Sequence, residues 1–291
     1  MLYQLKKSFI RDIVRKAVAE DGSLHDITTA ITIPSGTRRK AFIIAKEDGV
    51  LCGIDIAKEV FKYIDKKLLF KPFKKDGDTF VKKDIIALIK GKAAGILAAE
   101  RVALNFLSFL SGIATHTRKF VLKAKGYNVK VMDTRKTTPT LRILEKYAVR
   151  IGGGFNHRFN LSTGIIVKDN HLKALKIVDN KKINVQKLKT VLSSLKKKAA
   201  FPVEIEVENL KEFKEVVKYN PDIIMLDNFS FSSLCKAVSY RNRYFPRVKL
   251  EASGGINLKN IRRIASSKVD FISVGALTHS ASCIDFSLDI Q

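Results

Sequence analysis

Six cationic residues offer the first chemistry in this sequence: Arg135, Lys136, His157, Arg158 and Lys168, with Arg101 earlier in the chain. Arginine presents a planar fork matched to carboxylate, and lysine a compact charge suited to phosphate or carboxylate. Together they suit a ligand with several negative charges. Taken singly, each reads better as solvated surface in so basic a chain; their recurrence beside Gly152-Gly153-Gly154 and after apolar runs reverses this for the group and points to a shared site. A second group is acidic, Glu206 and Asp227, each at the end of an apolar run in a chain poor in acids. Carboxylates on neighbouring strands can hold Mg²⁺ through oxygen ligands, with substrate phosphates completing the shell. The plainer alternative is a pair of buried salt bridges to nearby lysines. The third group is Ser253-Gly254-Gly255, followed by a helix expected from about Asn257, with Gly275 after the next apolar run. Glycine lets the backbone approach a phosphate, and a helix start presents free N–H groups to it.

Other residues carry less. His25, His116 and His279 lack metal-ligand spacing and read as ordinary polar or capping residues, while Cys52, Cys235 and Cys283 read as core filler. No phosphate-binding Walker loop and no GxGxxG is present, which removes support from ATPase and nicotinamide-cofactor readings.

These groups need elements to position them. From residue 111 onward the chain alternates apolar strands with amphipathic helices. The expected strands are 129–132, 165–167, 203–207, 222–226, 248–250 and 271–274, with helices near 140–150, 184–199, 210–218, 231–241 and 257–266. Such alternation implies parallel strands covered by helices, a barrel or a doubly wound sheet. The strand ends are Asp133-Thr134-Arg135-Lys136, Lys168 to His171, Glu204 to Glu208, Asp227-Asn228, Ser253 to Gly255 and Gly275-Ala276. Charged or glycine-rich positions recurring at carboxyl ends favour a barrel enzyme, because that rim is where barrels build active sites. Residues 1–110 read as a smaller α/β layer domain. It opens on a helix with the stripe Leu5, Phe9, Ile13 and Ala17, widened by Ile10 and Val14, and continues through strands at 41–45 and 84–89. A long helix from about 96 to 125 joins the two parts.

The composition sets outer limits. The 291 residues include 54 Lys and Arg against 28 Asp and Glu, a formal charge of +26, and 46% are hydrophobic, enough for a packed core. No uninterrupted apolar run approaches the ~20 residues of a membrane span, the N-terminal stretch is charged throughout, and the three cysteines form no CxxC. These features predict a cytoplasmic protein without a membrane partner. The excess charge raises nucleic acid as an alternative partner. It is spread along the chain, with clusters at Lys66-Lys67, Lys74-Lys75, Lys181-Lys182 and Lys196 to Lys198, and lacks any nucleic-acid motif, so no nucleic-acid partner is expected.

The stretch from Asp133 to Arg142 (DTRKTTPTLR), through Glu145 to Arg150 (EKYAVR) and Gly152 to Arg158 (GGGFNHR), closely resembles the quinolinate phosphoribosyltransferase family, the carboxylating nicotinate-nucleotide pyrophosphorylases. Further matches span nearly the whole chain: Ala45 to Gly53, Glu100 to Asn105, Leu110 to Thr115, Val167 to His171, Met225 to Asn228, Ala252 to Ile256 and Ser273 to Thr278. Thr140, Phe155 and Phe159-Asn160 depart from the residues usual in the family, which are Gly, His and Leu-Gly. A pyrophosphorylase-like relative associated with molybdate transport shares the fold; the intact Lys136, Asn156-His157-Arg158 and Lys168 to His171 argue against it.

The resemblance implies an N-terminal α/β sandwich (1–110, with 280–291 expected to pack on it) and a C-terminal incomplete, seven-stranded α/β barrel (111–279). The apolar runs supply six strands, so a seventh is expected. It implies a homodimer, in some members a hexamer as a trimer of dimers, with Arg101 reaching the neighbouring subunit's site. The implied reaction joins quinolinate to phosphoribosyl pyrophosphate with Mg²⁺, giving nicotinate mononucleotide, CO₂ and pyrophosphate for NAD biosynthesis. Substrate binding then falls to Arg101, Thr134, Arg135, Lys136, His157, Arg158, Lys168, Glu206 and Asp227. Of these, Lys136, Lys168, Glu206 and Asp227 are expected to be catalytic. Phosphate binding is expected at Ser253, Gly254, Gly255 and Gly275, and Mg²⁺ at Glu206 and Asp227, directly or through pyrophosphate.

Overall fold

The structure, a computed structural model, describes residues 5–179, 182–198 and 201–291. Residues 1–4 of the expected N-terminal helix, Lys181 and position 199 lie outside it. The contacts divide the chain into two compact units. One comprises residues 5–118, Thr138–Gly153 and Ser280–Gln291, and the other Lys119–Thr137 and Gly154–His279. A division at 110/111 differs from this one, because 111–118 continue a single helix and 138–153 return to the first unit.

In the first unit, α1 (Lys7–Asp21) buries Ile10, Val14 and Val18. The buried line is thus the flank of the expected stripe, with Phe9, Ile13 and Ala17 only half-buried beside it. Burying an aliphatic side chain fully is worth ~1.5–3 kcal/mol, so three at a spacing of four fix which face turns inward. Strand β1 (Arg38–Ala45) alternates to bury Ala41, Ile43 and Ala45. Then come α2 (Ile54–Ile64), β2 (Leu69–Pro72), β3 (Ile85–Lys92), α3 (Ala93–Ala124) and, after an excursion into the other unit, α4 (Arg142–Ile151). Antiparallel pairing sets β1 beside β3, β3 beside β2, and the C-terminal strand Phe286–Ile290 on the free edge of β1. A Cβ on Gly112 would stand 2.2 Å from the Ser282 carbonyl, so the returning tail needs glycine at that point of α3. By length and apolarity α3 is long enough to cross a membrane, which corrects the exclusion made on run length. It serves as a core helix, with 56% of its most apolar window buried.

The second unit contains β4 (Lys130–Met132), β5 (Ile165–Val167), β6 (Val203–Val207), β7 (Ile223–Asp227), β8 (Lys249–Ser253) and β9 (Phe271–Ser273). All are parallel, in the order β4-β9-β8-β7-β6-β5. The last strand pairs with the first, the topology of a sheet curled into a barrel. The seventh strand is reduced to one residue: Phe155 bridges Met132 in parallel, its N–H donating to Val131 O at 2.8 Å and its carbonyl accepting from Asp133 N–H at 3.0 Å. Between strands lie α5 (Asp169–Ala174), α6 (Val185–Lys198), α7 (Leu210–Val216), α8 (Phe231–Tyr244), α9 (Ile261–Ser266) and α10 (Ala276–His279). They turn Phe213, Val216, Leu234, Val238, Ile261 and Ala265 inward. The expected helix start at Asn257 is corrected to Ile261, because the Asn260 side chain accepts from Asn257 N–H at 2.9 Å and donates to Gly255 O at 2.9 Å, forming a turn first.

Candidate active site

One cavity of about 690 Å³ opens at the carboxyl ends of these strands, and its lining comes wholly from the second unit. Thr134, Arg135 and Lys136 follow β4, His157 and Arg158 follow the Phe155 bridge, and Lys168 follows β5. Glu206 comes from β6, Asp227 and Asn228 from β7, Ser253 to Ile256 from β8, and Ser273, Gly275, Ala276 and His279 from β9 and beyond. A flat sheet could not gather the ends of all its strands around one space. Every sequence-designated site residue except Arg101 lines it; Arg101 lies exposed on α3 in the first unit. Asn228, Ser273 and His279 also line it and were not designated, and His279 in particular gave only an isolated histidine as a signal.

The cations are held unequally. Lys136 is exposed but its backbone is pinned: Thr134 Oγ1 accepts its N–H at 3.0 Å and Thr278 Oγ1 donates to its carbonyl at 2.6 Å. Arg158 donates from Nη1 to Gly164 O at 3.0 Å. Burial, and then the neighbouring Arg135 charge, lower the proton affinity of its guanidinium, with Glu204 opposing them. Lys168 is ion-paired to Glu206. Glu206 is thus buried and paired, as the salt-bridge alternative foresaw. Asp227 is only half-buried and accepts from Asn228 Nδ2 at 2.7 Å.

The glycine turn admits an anion. Gly254 has φ +88°, and a Cβ there would stand 2.2 Å from Asn228 Oδ1. Among the described residues, no hydrogen bond engages the N–H of Gly254 or Gly255. The six-residue α9 starts beyond the turn, so the donors are those of the turn itself and not of a helix end, which revises the expected cradle.

Beneath the cavity lies a group that sequence patterning did not single out. Asp133 and Glu251 are fully buried, and Glu204 is 3% exposed. His157 Nε2 lies 3.1 Å from Glu204 Oε2 and 3.5 Å from Glu251 Oε1, and its Nδ1 accepts the Arg158 N–H at 2.8 Å. Burial disfavours a charged imidazole while the hydrogen bonds and charges of Glu204 and Glu251 favour one, and burial likewise raises the proton affinity of the Glu204 carboxyl. With Nδ1 accepting the Arg158 N–H, the ring carries its one proton on Nε2, and burial favours keeping any further proton of the group on the Glu204 side. The expected role of His157 as a ligand for substrate carboxylate is therefore revised: both ring nitrogens are engaged within the protein. These three groups also have the donors and spacing for a metal ion, all within 4.8 Å. Yet a ring whose Nδ1 accepts a hydrogen bond must carry its proton on Nε2, and that nitrogen cannot then ligate a metal.

Residues 26–111 match the family description "Quinolinate phosphoribosyl transferase, N-terminal domain" and residues 113–289 the corresponding C-terminal domain. The chain belongs to the quinolinate phosphoribosyltransferase family. It is therefore an enzyme, a phosphoribosyltransferase of NAD biosynthesis. Among curated relatives, the nicotinate-nucleotide pyrophosphorylase [carboxylating] of Mycobacterium leprae is 38% identical over 295 residues, covering 100% of both chains. The probable enzyme of the same name from Methanocaldococcus jannaschii is 41% identical, with 98% of each chain covered. The solved nicotinate-nucleotide pyrophosphorylase from Francisella tularensis superposes with a TM-score of 0.89 at 37% identity, covering 100% of this chain and 99% of that one.

Proposed function

We propose that the cavity of the second unit joins quinolinate to phosphoribosyl pyrophosphate, releasing CO₂ and pyrophosphate and leaving nicotinate mononucleotide. The observation carrying this reading is the convergence of Arg135, Lys136, Arg158 and Lys168 with the Gly254-Gly255 turn on one 690 Å³ space. Two anionic substrates need opposite ends of such a site, one rich in cations and one rich in backbone donors. Arg135, Arg158 and Lys168 take the two carboxylates of quinolinate, with Thr134 beside them and Arg101 of a second copy completing the wall in a homodimer, or in a hexamer built from such dimers. Ser253, Gly254, Gly255 and Gly275 take the 5′-phosphate.

The pyridine nitrogen attacks C1 of the ribose as the C1–O bond to pyrophosphate breaks, and positive charge develops on the sugar. Lys136 neutralises the departing pyrophosphate; charge-stabilising donors of this kind are worth about 100- to 1,000-fold in rate. Glu206 and Asp227 have the oxygen donors to hold Mg²⁺, which supplies further charge neutralisation for pyrophosphate when bound. The C2–carboxylate bond then breaks, its electron pair remaining at C2 beside the cationic ring nitrogen until a proton arrives. No covalent nucleophile is required. The chain acts in the cytoplasm on this reading, and its excess lysine is a solvated surface that draws anions inward at low salt.

Incubation with quinolinate, phosphoribosyl pyrophosphate and Mg²⁺ should yield nicotinate mononucleotide by mass spectrometry. A folded protein that forms none would sink the reading.

A further inference from the structure

The peptide stretch Asn156 to Arg158, which carries part of the cationic wall, rests on buried acids from three different strand regions. Asp133, after β4, accepts the His157 N–H on Oδ1 at 2.8 Å and Asn156 Nδ2 on Oδ2 at 2.7 Å. Glu204 of β6 and Glu251 of β8 face His157 Nε2, and Ser273 of β9 donates to the same Glu251 oxygen, Oε1. The ring so held takes the Arg158 N–H on Nδ1. The other oxygens, Glu204 Oε1 and Glu251 Oε2, are buried with no partner among the described residues. Burying a carboxylate costs several kcal/mol unless it is fully paired. Two incompletely satisfied ones under a binding cavity mark groups whose contribution is geometric and not stabilising.

We infer that Glu251, together with Glu204, is a positioning residue for quinolinate binding: it locks His157 as the Nε2–H tautomer, and through His157 Nδ1 it fixes the Arg158 backbone at the cavity wall. Neither glutamate touches substrate. The inference rests on the quinolinate reading above and adds the device that keeps one arginine in place. What matters in Glu251 is the acceptor Oε1, which takes both Ser273 and His157, and not the negative charge. A glutamine keeps that acceptor and puts an amide where Oε2 now lacks a partner.

Steady-state kinetics on Glu251→Ala and Glu251→Gln separate these roles. Glu251→Ala should raise KM for quinolinate about 10-fold, with kcat within about 3-fold and KM for phosphoribosyl pyrophosphate unchanged. Glu251→Gln should restore quinolinate KM to within about 3-fold of the parent. If the glutamine variant is as impaired as the alanine variant, charge is the operative property and the inference is overturned; unchanged quinolinate KM in a folded Glu251→Ala overturns it too. Should Glu251→Ala not fold, ¹⁵N-histidine NMR of the parent decides. A protonated Nε2 and bare Nδ1 at His157 are expected, and a protonated Nδ1 contradicts the lock. Failure of the underlying function looks different, because the parent protein would then consume no quinolinate whatever its tautomer.

Discussion

Lys168 and Glu206 are an ion pair between adjacent parallel strand regions: Val167 pairs with Ile205 in register, and the residue that follows each carries the charge. The lysine is part-exposed to the cavity while the carboxylate is 8% exposed. The cavity thus presents a lysine whose position is set by a buried partner on the neighbouring strand.

Lys168→Ala should lower kcat/KM for quinolinate by about 100-fold or more. Stability should fall by only about 1–3 kcal/mol, the cost of leaving the buried Glu206 carboxylate without its cation. Kinetics and urea unfolding on the same preparation check the contrast; a large stability loss with activity retained would make the pair structural.

The glycine turn gives a graded expectation. Gly254→Ala places a Cβ 2.2 Å from Asn228 Oδ1 at φ +88°, whereas the Cβ of Gly255→Ala meets nothing within 4 Å, although φ there is +59°. KM for phosphoribosyl pyrophosphate should rise about 10-fold or more in the first and clearly less in the second. Equal effects would move the phosphate elsewhere.

Much of this site was legible in the sequence because strand ends declare themselves: apolar runs stopping at Arg135, Lys168, Asp227 and Gly254 located the cavity rim. Three things were hidden, each for a physical reason. Strand β6 reads V-E-I-E-V, an alternation that suggests one wet face, yet all five residues are buried, so Glu204 lies inside the barrel. The seventh strand shrank to Phe155, too short for any periodicity. Asn260 capped Asn257 locally and delayed α9, a side-chain contact that composition does not show.

Thr140 stands exposed at φ +69°, where the family usually has glycine. A β-branched residue in the left-handed region is strained by roughly 1–2 kcal/mol. Thr140→Gly should raise stability by about 0.5–1 kcal/mol after the entropy cost of glycine in the unfolded chain, while Thr140→Ala should gain less. Thermal unfolding tests both, and a destabilised glycine variant would contradict the strain.

Asp270 binds buried Arg241 at 2.6 Å, Lys249 at 3.0 Å and the Leu250 N–H at 2.9 Å. Burial opposes its ionisation, but these partners together hold its carboxyl below the usual 3.8. A depressed value stabilises the fold above the unfolded pKa, and the contribution is lost as pH falls through the folded one. Urea midpoints should drop in acid below about pH 4. Asp270→Asn should be less stable at neutral pH and lose part of that acid dependence. An unchanged acid limb would remove Asp270 from it.

On the proposed reading, one cationic cavity binds a dicarboxylate and couples its decarboxylation to phosphoribosyl transfer. Carboxyl-labelled quinolinate measures this directly. With phosphoribosyl pyrophosphate present, about one CO₂ should appear per pyrophosphate released; none should appear without it, and nicotinate should release little pyrophosphate. CO₂ release independent of phosphoribosyl pyrophosphate, or nicotinate turning over as fast as quinolinate, would contradict the account.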